Sequence, residues 1–128
     1  MDTPCRIIAI ANQKGGVGKT TTAINFSASL AVAEKHVLLI DIDPQGNSTS
    51  GLGFDKDKQF VTTYDILIGH ARPAEVIQNT AVKRLDLIPS NVNLIGAELE
   101  LIEIKESEFI LKKALDSVKG SYEYIIID

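Results

Sequence analysis

The chain has little cysteine, no tryptophan and few aromatic residues: one Cys, no Trp, and 5% Phe, Trp and Tyr together. A lone Cys5 can form neither an internal disulfide nor a cysteine-based metal cluster, which points to a reducing compartment. No apolar run approaches the roughly 18 residues that a membrane-spanning helix needs. The opening Met1-Asp2-Thr3-Pro4-Cys5-Arg6 has no basic stretch leading into an apolar core, so it does not read as a secretory leader. Basic residues are also short in one half. Residues 1–64 carry six basic and six acidic side chains, whereas residues 65–128 carry seven and eleven, giving −4 overall. The second half therefore offers no cationic stripe for nucleic acid. Its acids at Glu98, Glu100, Glu103, Glu106 and Glu108 read as a solvated helix face. Repeats, low-complexity tracts and long linkers are lacking too.

What remains is an ordinary globular mixture, 45% hydrophobic and 23% charged over 128 residues, enough for one domain with a core. Its pattern alternates short apolar runs with helical periods. Arg6–Ala11, Val37–Ile42, Leu85–Ile88 and Tyr124–Ile127 read as strands, the second (apolar but for Asp41) and the last running into acid, as buried parallel strands do. Lys19–Ala33, Asn93–Ile104 and Glu108–Val118 read as helices, with Ile95/Leu99/Ile102 and Leu111/Leu115/Val118 each on one face and Gly120 ending the last. A short helix is expected from Thr62, with Asp65 at capping-box spacing and Gly69 as its stop. Pro44–Gly53 reads as a loop. Alternating strands and helices predict an α/β fold, a doubly wound, mainly parallel sheet with helices on both faces. A chain closing on Asp128, directly after a core strand, is expected to be the N-terminal part (1–128) of a longer single domain.

The most informative stretch is Lys14-Gly15-Gly16-Val17-Gly18-Lys19-Thr20-Thr21. The usual phosphate-loop pattern wants Gly six residues before the lysine, where this chain has Gln13; a second lysine, Lys14, stands near the loop's start instead. The physics of the loop survives. Gly15, Gly16 and Gly18 admit close backbone approaches, so that successive N–H groups can form an anion nest. A helix beginning beyond the loop adds its free N–H groups and dipole. Lys19 would reach the β- and γ-phosphates, and the Thr20 hydroxyl would hold Mg²⁺, an oxygen-seeking ion. Asp41 and Asp43 end the second strand and Asp128 ends the last. In a parallel sheet these carboxyl ends share one edge, where ligands bind.

Together these residues resemble the ParA/Soj/MinD group of deviant Walker-A ATPases. The resemblance runs through Ala9–Thr22, through Leu39-Ile40-Asp41-Ile42-Asp43-Pro44-Gln45-Gly46-Asn47, and through Leu87-Ile88-Pro89-Ser90-Asn91 and Tyr124–Asp128. The segment from Asp43 to Gly53 is more similar to the ParA/Soj partition branch than to MinD. The nitrogenase iron protein shares the loop but needs paired cysteines. The resemblance implies an ATPase dependent on ATP and Mg²⁺, acting as an ATP-dependent homodimer in chromosome or plasmid partition. It implies that Lys14 reaches the partner's phosphates across the dimer, that Asp43 positions or activates the attacking water, and that Asp128 is the Walker B acid beside Mg²⁺, with Thr20 and with Asp41 supporting that shell. It further implies a ParB-type centromere-binding partner, sequence-independent DNA binding through residues beyond Asp128, no membrane association, and a cytoplasmic, nucleoid-associated life. Two rivals stand beside it: a MinD-like membrane-associated cell-division regulator, and a truncated module inactive on its own. Other features read blandly. Asn25-Phe26-Ser27 and Asn47-Ser48-Thr49 are chance sequons, His36 and His70 are surface residues, and Cys5 is an unreactive thiol.

Overall fold

The computed structural model describes residues 4–10, 17–43, 45–59, 61–91 and 104–128, of which the side chains of residues 17–20, 56 and 104–108 stand outside the description. Its elements in chain order are β1 (Arg6–Ala9), α1 (Val17–Val32), β2 (Val37–Ile40), α2 (Asn47–Gly51), α3 (Thr63–Leu67), α4 (Pro73–Val76), β3 (Gln78–Asn79), β4 (Leu85–Ile88), α5 (Ile104–Leu115) and β5 (Tyr124–Ile127), with short 3-10 turns at Lys56–Lys58 and Lys119–Ser121.

Five strands form one sheet in the order β1-β5-β2-β4-β3. β5, last in the chain, lies between β1 and β2, so Leu39 pairs with Ile126 on one side and Leu87 on the other. All pairings are parallel except β3 against β4, which is antiparallel. Parallel neighbours need covered crossovers, and a strand covered on both faces must be apolar at every position. β2 meets this strictly, with Val37, Leu38, Leu39 and Ile40 all fully buried.

Alternation along the strands sorts the core into two layers. Leu38, Ile40, Ile88 and Ile125 join Ile66 of α3 and Leu111 and Leu115 of α5 on one face. Val37, Leu39, Leu85, Leu87 and Ile126 join Ala23 and Ala31 of α1 on the other. The expected doubly wound, mainly parallel sheet with helices on both faces is thus the fold observed.

Several boundaries differ from the sequence expectation. The region expected as loop from Pro44 to Gly53 contains α2. Its sequence, Asn-Ser-Thr-Ser-Gly, has no apolar period to announce a helix; tertiary hydrogen bonds, described below, hold it instead. α4 begins on Pro73, whose fixed φ suits a first helical turn, and β3 is only two residues long. Both are too short to give a periodic signal. α5 starts at Ile104 and ends at Leu115, earlier at each end than Glu108–Val118; Gly120 falls in the 3-10 turn that follows. The expected helix Asn93–Ile104, with its stripe Ile95/Leu99/Ile102, lies outside the described residues except for Ile104. The short helix after Thr62 forms as expected. The Thr62 N–H donates to Asp65 Oδ2 at 2.8 Å, and Gly69 follows at φ 79°, the left-handed conformation typical of a helix stop.

Candidate functional site

The sheet's carboxyl edge collects the polar residues that the strand bodies exclude. Backbone pairing runs past the strand ends: Asp128 N–H donates to Ile40 O at 2.9 Å and Ile42 N–H to Asp128 O at 2.7 Å. Asp41 N–H donates to Ile88 O at 3.0 Å. The ladder therefore sets Asp41 and Asp128 on adjacent strands, with Ser90 just beyond the end of β4. All three are nearly inaccessible to solvent, at 0%, 2% and 1% exposure.

Buried carboxylates demand partners, and Asp43 and the α2 residues Ser48 and Thr49 supply them. Asp41 Oδ1 accepts from Asp43 N at 3.0 Å. Asp41 Oδ2 accepts from Thr49 N at 2.9 Å and from Thr49 Oγ1 at 2.7 Å. The same Thr49 hydroxyl accepts from Ser90 N at 3.0 Å, tying β4 into the cluster. Thr63 Oγ1 donates to the Asp41 carbonyl at 2.8 Å, adding α3. Burial still dominates the Asp41 carboxyl, pushing it up from the usual 3.8 to about 6 against the opposing hydrogen bonds from Thr49 and Asp43, with Asp128 nearby pushing the same way.

Asp43 is half-buried at the mouth of this edge. Its Oδ1 accepts from Gln45 N at 3.0 Å, and its Oδ2 from Asn47 Nδ2 at 2.8 Å. Gly46 turns the chain into α2 at φ 65°, a conformation costly for a residue with a Cβ. The Ser48 hydroxyl then donates to Asp128 Oδ2. α2 also sits close against α1. A Cβ at Gly51 would lie 2.5 Å from Ile24 Cδ1.

Of the predicted site residues, Lys14, Gly15 and Gly16 lie outside the described residues. Val17, Gly18, Lys19, Thr20 and Thr21 open α1, whose first residue is Val17 rather than Lys19; the side chains of Lys19 and Thr20 stand outside the description. The loop therefore runs from the carboxyl end of β1 to the amino end of a 16-residue helix. Asp41, Asp43 and Asp128 lie together on the sheet's carboxyl edge. Asn47, Ser48, Thr49 and Ser90 join these acids although the sequence alone gives them no role in the site. The resemblance covered their positions, but a hydroxyl or amide that serves a distant carboxylate has no local signature. Ser90 Oγ is buried and has no hydrogen-bond partner among the described residues.

Among the described residues no group of three or more His, Cys, Asp or Glu is arranged around a metal. A cation here would need oxygen ligands from few side chains, with water or phosphate completing its shell. That donor set suits Mg²⁺. No described helix is long and apolar enough to cross a membrane.

A family model described as an AAA domain matches residues 5–128. The chain belongs to the ParA/Soj-type ATPase family. It is 54% identical over 123 residues to the sporulation initiation inhibitor protein Soj of Bacillus subtilis, covering 96% of this chain and 49% of that protein. It is 50% identical to the chromosome partitioning protein ParA of Myxococcus xanthus, covering 96% of this chain and 44% of the relative. Among solved structures, the cobyrinic acid a,c-diamide synthase of Mycobacterium smegmatis, crystallised with an ATP analogue and magnesium, superposes with a TM-score of 0.90 at 41% identity, over 97% of this chain and 50% of that one. The ParA/Soj-type chain thus spans about half the length of the curated relatives it matches. The two relatives and the solved structure carry different printed functions, and that structure binds a magnesium nucleotide.

Proposed function

We propose that this chain carries the magnesium–ATP site of a partition ATPase. The observation that carries the reading is the placement of Asp41, Asp43 and Asp128 on one carboxyl edge, the edge from which the glycine-rich connection leaves β1 for α1. In this reading Gly15, Gly16, Val17, Gly18 and Thr21 wrap the phosphates with backbone and side-chain donors, and Lys19 binds the β- and γ-phosphates as a point charge. Thr20 and Asp128 would hold Mg²⁺, which when bound neutralises phosphate charge, with Asp41 supporting that shell. Asp43, held at both oxygens, orients the attacking water, and Lys14 supplies charge to the phosphates of a second subunit. The ATP-dependent homodimer, the ParB-type partner, sequence-independent DNA binding and a nucleoid-associated cytoplasmic location follow from the family and belong to this proposal.

The test is ATP binding by the complete gene product and its Lys19→Ala variant. Loss of a charge-assisted contact should weaken binding about 10- to 100-fold. Equal affinity in the variant would remove Lys19 from the phosphate site.

A further inference from the structure

Three consecutive side chains of α2 each hold a different carboxylate of the edge. Asn47 Nδ2 donates to Asp43 at 2.8 Å. The Ser48 hydroxyl donates to Asp128, and Thr49 donates twice to Asp41, at 2.9 and 2.7 Å. Asn47 is exposed, whereas Ser48 and Thr49 are fully buried. α2 itself is fixed at both ends, by the turn at Gly46 and by the close approach of Gly51 to Ile24.

We propose that α2 is a positioning element for the three acids, and that Ser48 helps orient Asp128 for the magnesium-bound nucleotide. The inference rests on the function proposed above. Its physical basis is rotational. The terminal torsion of an aspartate is broad, so a carboxylate at the end of β5 needs a partner to fix its plane. Ser48 provides one from a buried position on a neighbouring element. It touches no phosphate in this scheme and acts only through Asp128. Outer partners of this kind change metal affinity about 10- to 100-fold when removed.

Magnesium titration of ATP binding, in the complete gene product, separates this role from a merely structural one. Ser48→Ala should raise the magnesium concentration at half-effect about tenfold, while ATP affinity in EDTA stays unchanged. Ser48→Cys, close in size but a weaker donor, should fall between, and it keeps the test standing should the alanine variant fold poorly. Ser50→Ala, exposed on the same helix, should leave the midpoint in place. In an Asp128→Asn background, Ser48→Ala should add no further shift. An unchanged midpoint in both Ser48 variants, or an equal loss of ATP affinity with and without magnesium, overturns the proposal. Wild-type protein whose ATP binding ignores magnesium overturns the parent reading as well, and that failure is recognisable because it precedes any substitution.

Discussion

The bodies of β2, β4 and β5 and the carboxyl ends of the same strands are equally buried but oppositely built. Within the strands, Val37 to Ile40, Leu85, Leu87, Ile88, Ile125 and Ile126 are all fully buried and apolar. One or two residues further on, Asp41, Ser90 and Asp128 are buried to the same degree and polar. The body stabilises by removing apolar surface from water, which needs no orientation. The ends carry charge, which is tolerable only with directed partners. One polar pair interrupts the body. Tyr122 OH donates to Asp86 at 2.6 Å, and burial together with Asp86 pushes the tyrosine's ionisation well up. An apolar strand end would have been simpler to bury, so folding alone does not call for the polar edge.

The comparison breaks most visibly in the body. Leu39→Ala, in the packed layer under α1, should lower stability by about 2–5 kcal/mol, measured by denaturant unfolding. A loss below about 1 kcal/mol would mean that the layer between α1 and the sheet is loosely packed.

At the edge the distinguishing signature is pH. The folded Asp41 carboxyl titrates near pH 6 and its ordinary value is 3.8, so between those values the folded state binds more protons than the unfolded one. Its contribution to stability therefore falls as pH rises through about 6 and is recovered as pH drops toward 4. At about 1.4 kcal/mol per pH unit, the swing is on the order of 2 to 3 kcal/mol. Asp41→Asn should lack this component, so the stability difference between wild type and variant should shift in favour of wild type on going from pH 7 to pH 4. Parallel curves would contradict the burial argument.

The finest contrast uses a nearly isosteric change. Thr49→Val keeps the shape but removes a donor to Asp41 and the acceptor of Ser90 N–H. It should cost about 1–3 kcal/mol by leaving buried groups unpaired. Thermal unfolding indistinguishable from wild type would show that the hydroxyl is dispensable.

How much of this was readable beforehand follows from the same contrast. Strand bodies announce themselves through short, mostly apolar runs, and Leu85–Ile88, apolar but for Asp86, and Tyr124–Ile127 have the expected bounds. The glycines and lysines of the loop mark a candidate phosphate site, and the acids at strand ends a candidate cation site beside it, through their types and spacing. The parallel sheet then brings Asp41 and Asp128 onto neighbouring strands. α2 gives no local signal, because Ser48 and Thr49 take their hydrogen bonds from carboxylates just beyond the ends of β5 and β2, one of them 80 residues away. α4 and β3 are shorter than the period by which either kind of element is recognised. Lys14, the residue that most separates this loop from an ordinary one, carries its message in sequence alone.

The most direct measurement of the account is calorimetric titration of the complete gene product with ATP, in magnesium and in EDTA, for wild type and Asp128→Asn. Wild type should bind ATP more tightly with magnesium, and the difference should collapse in the variant while affinity in EDTA is retained. Magnesium dependence that persists undiminished in Asp128→Asn would contradict it, and would remove the buried acid at the end of β5 from the nucleotide site.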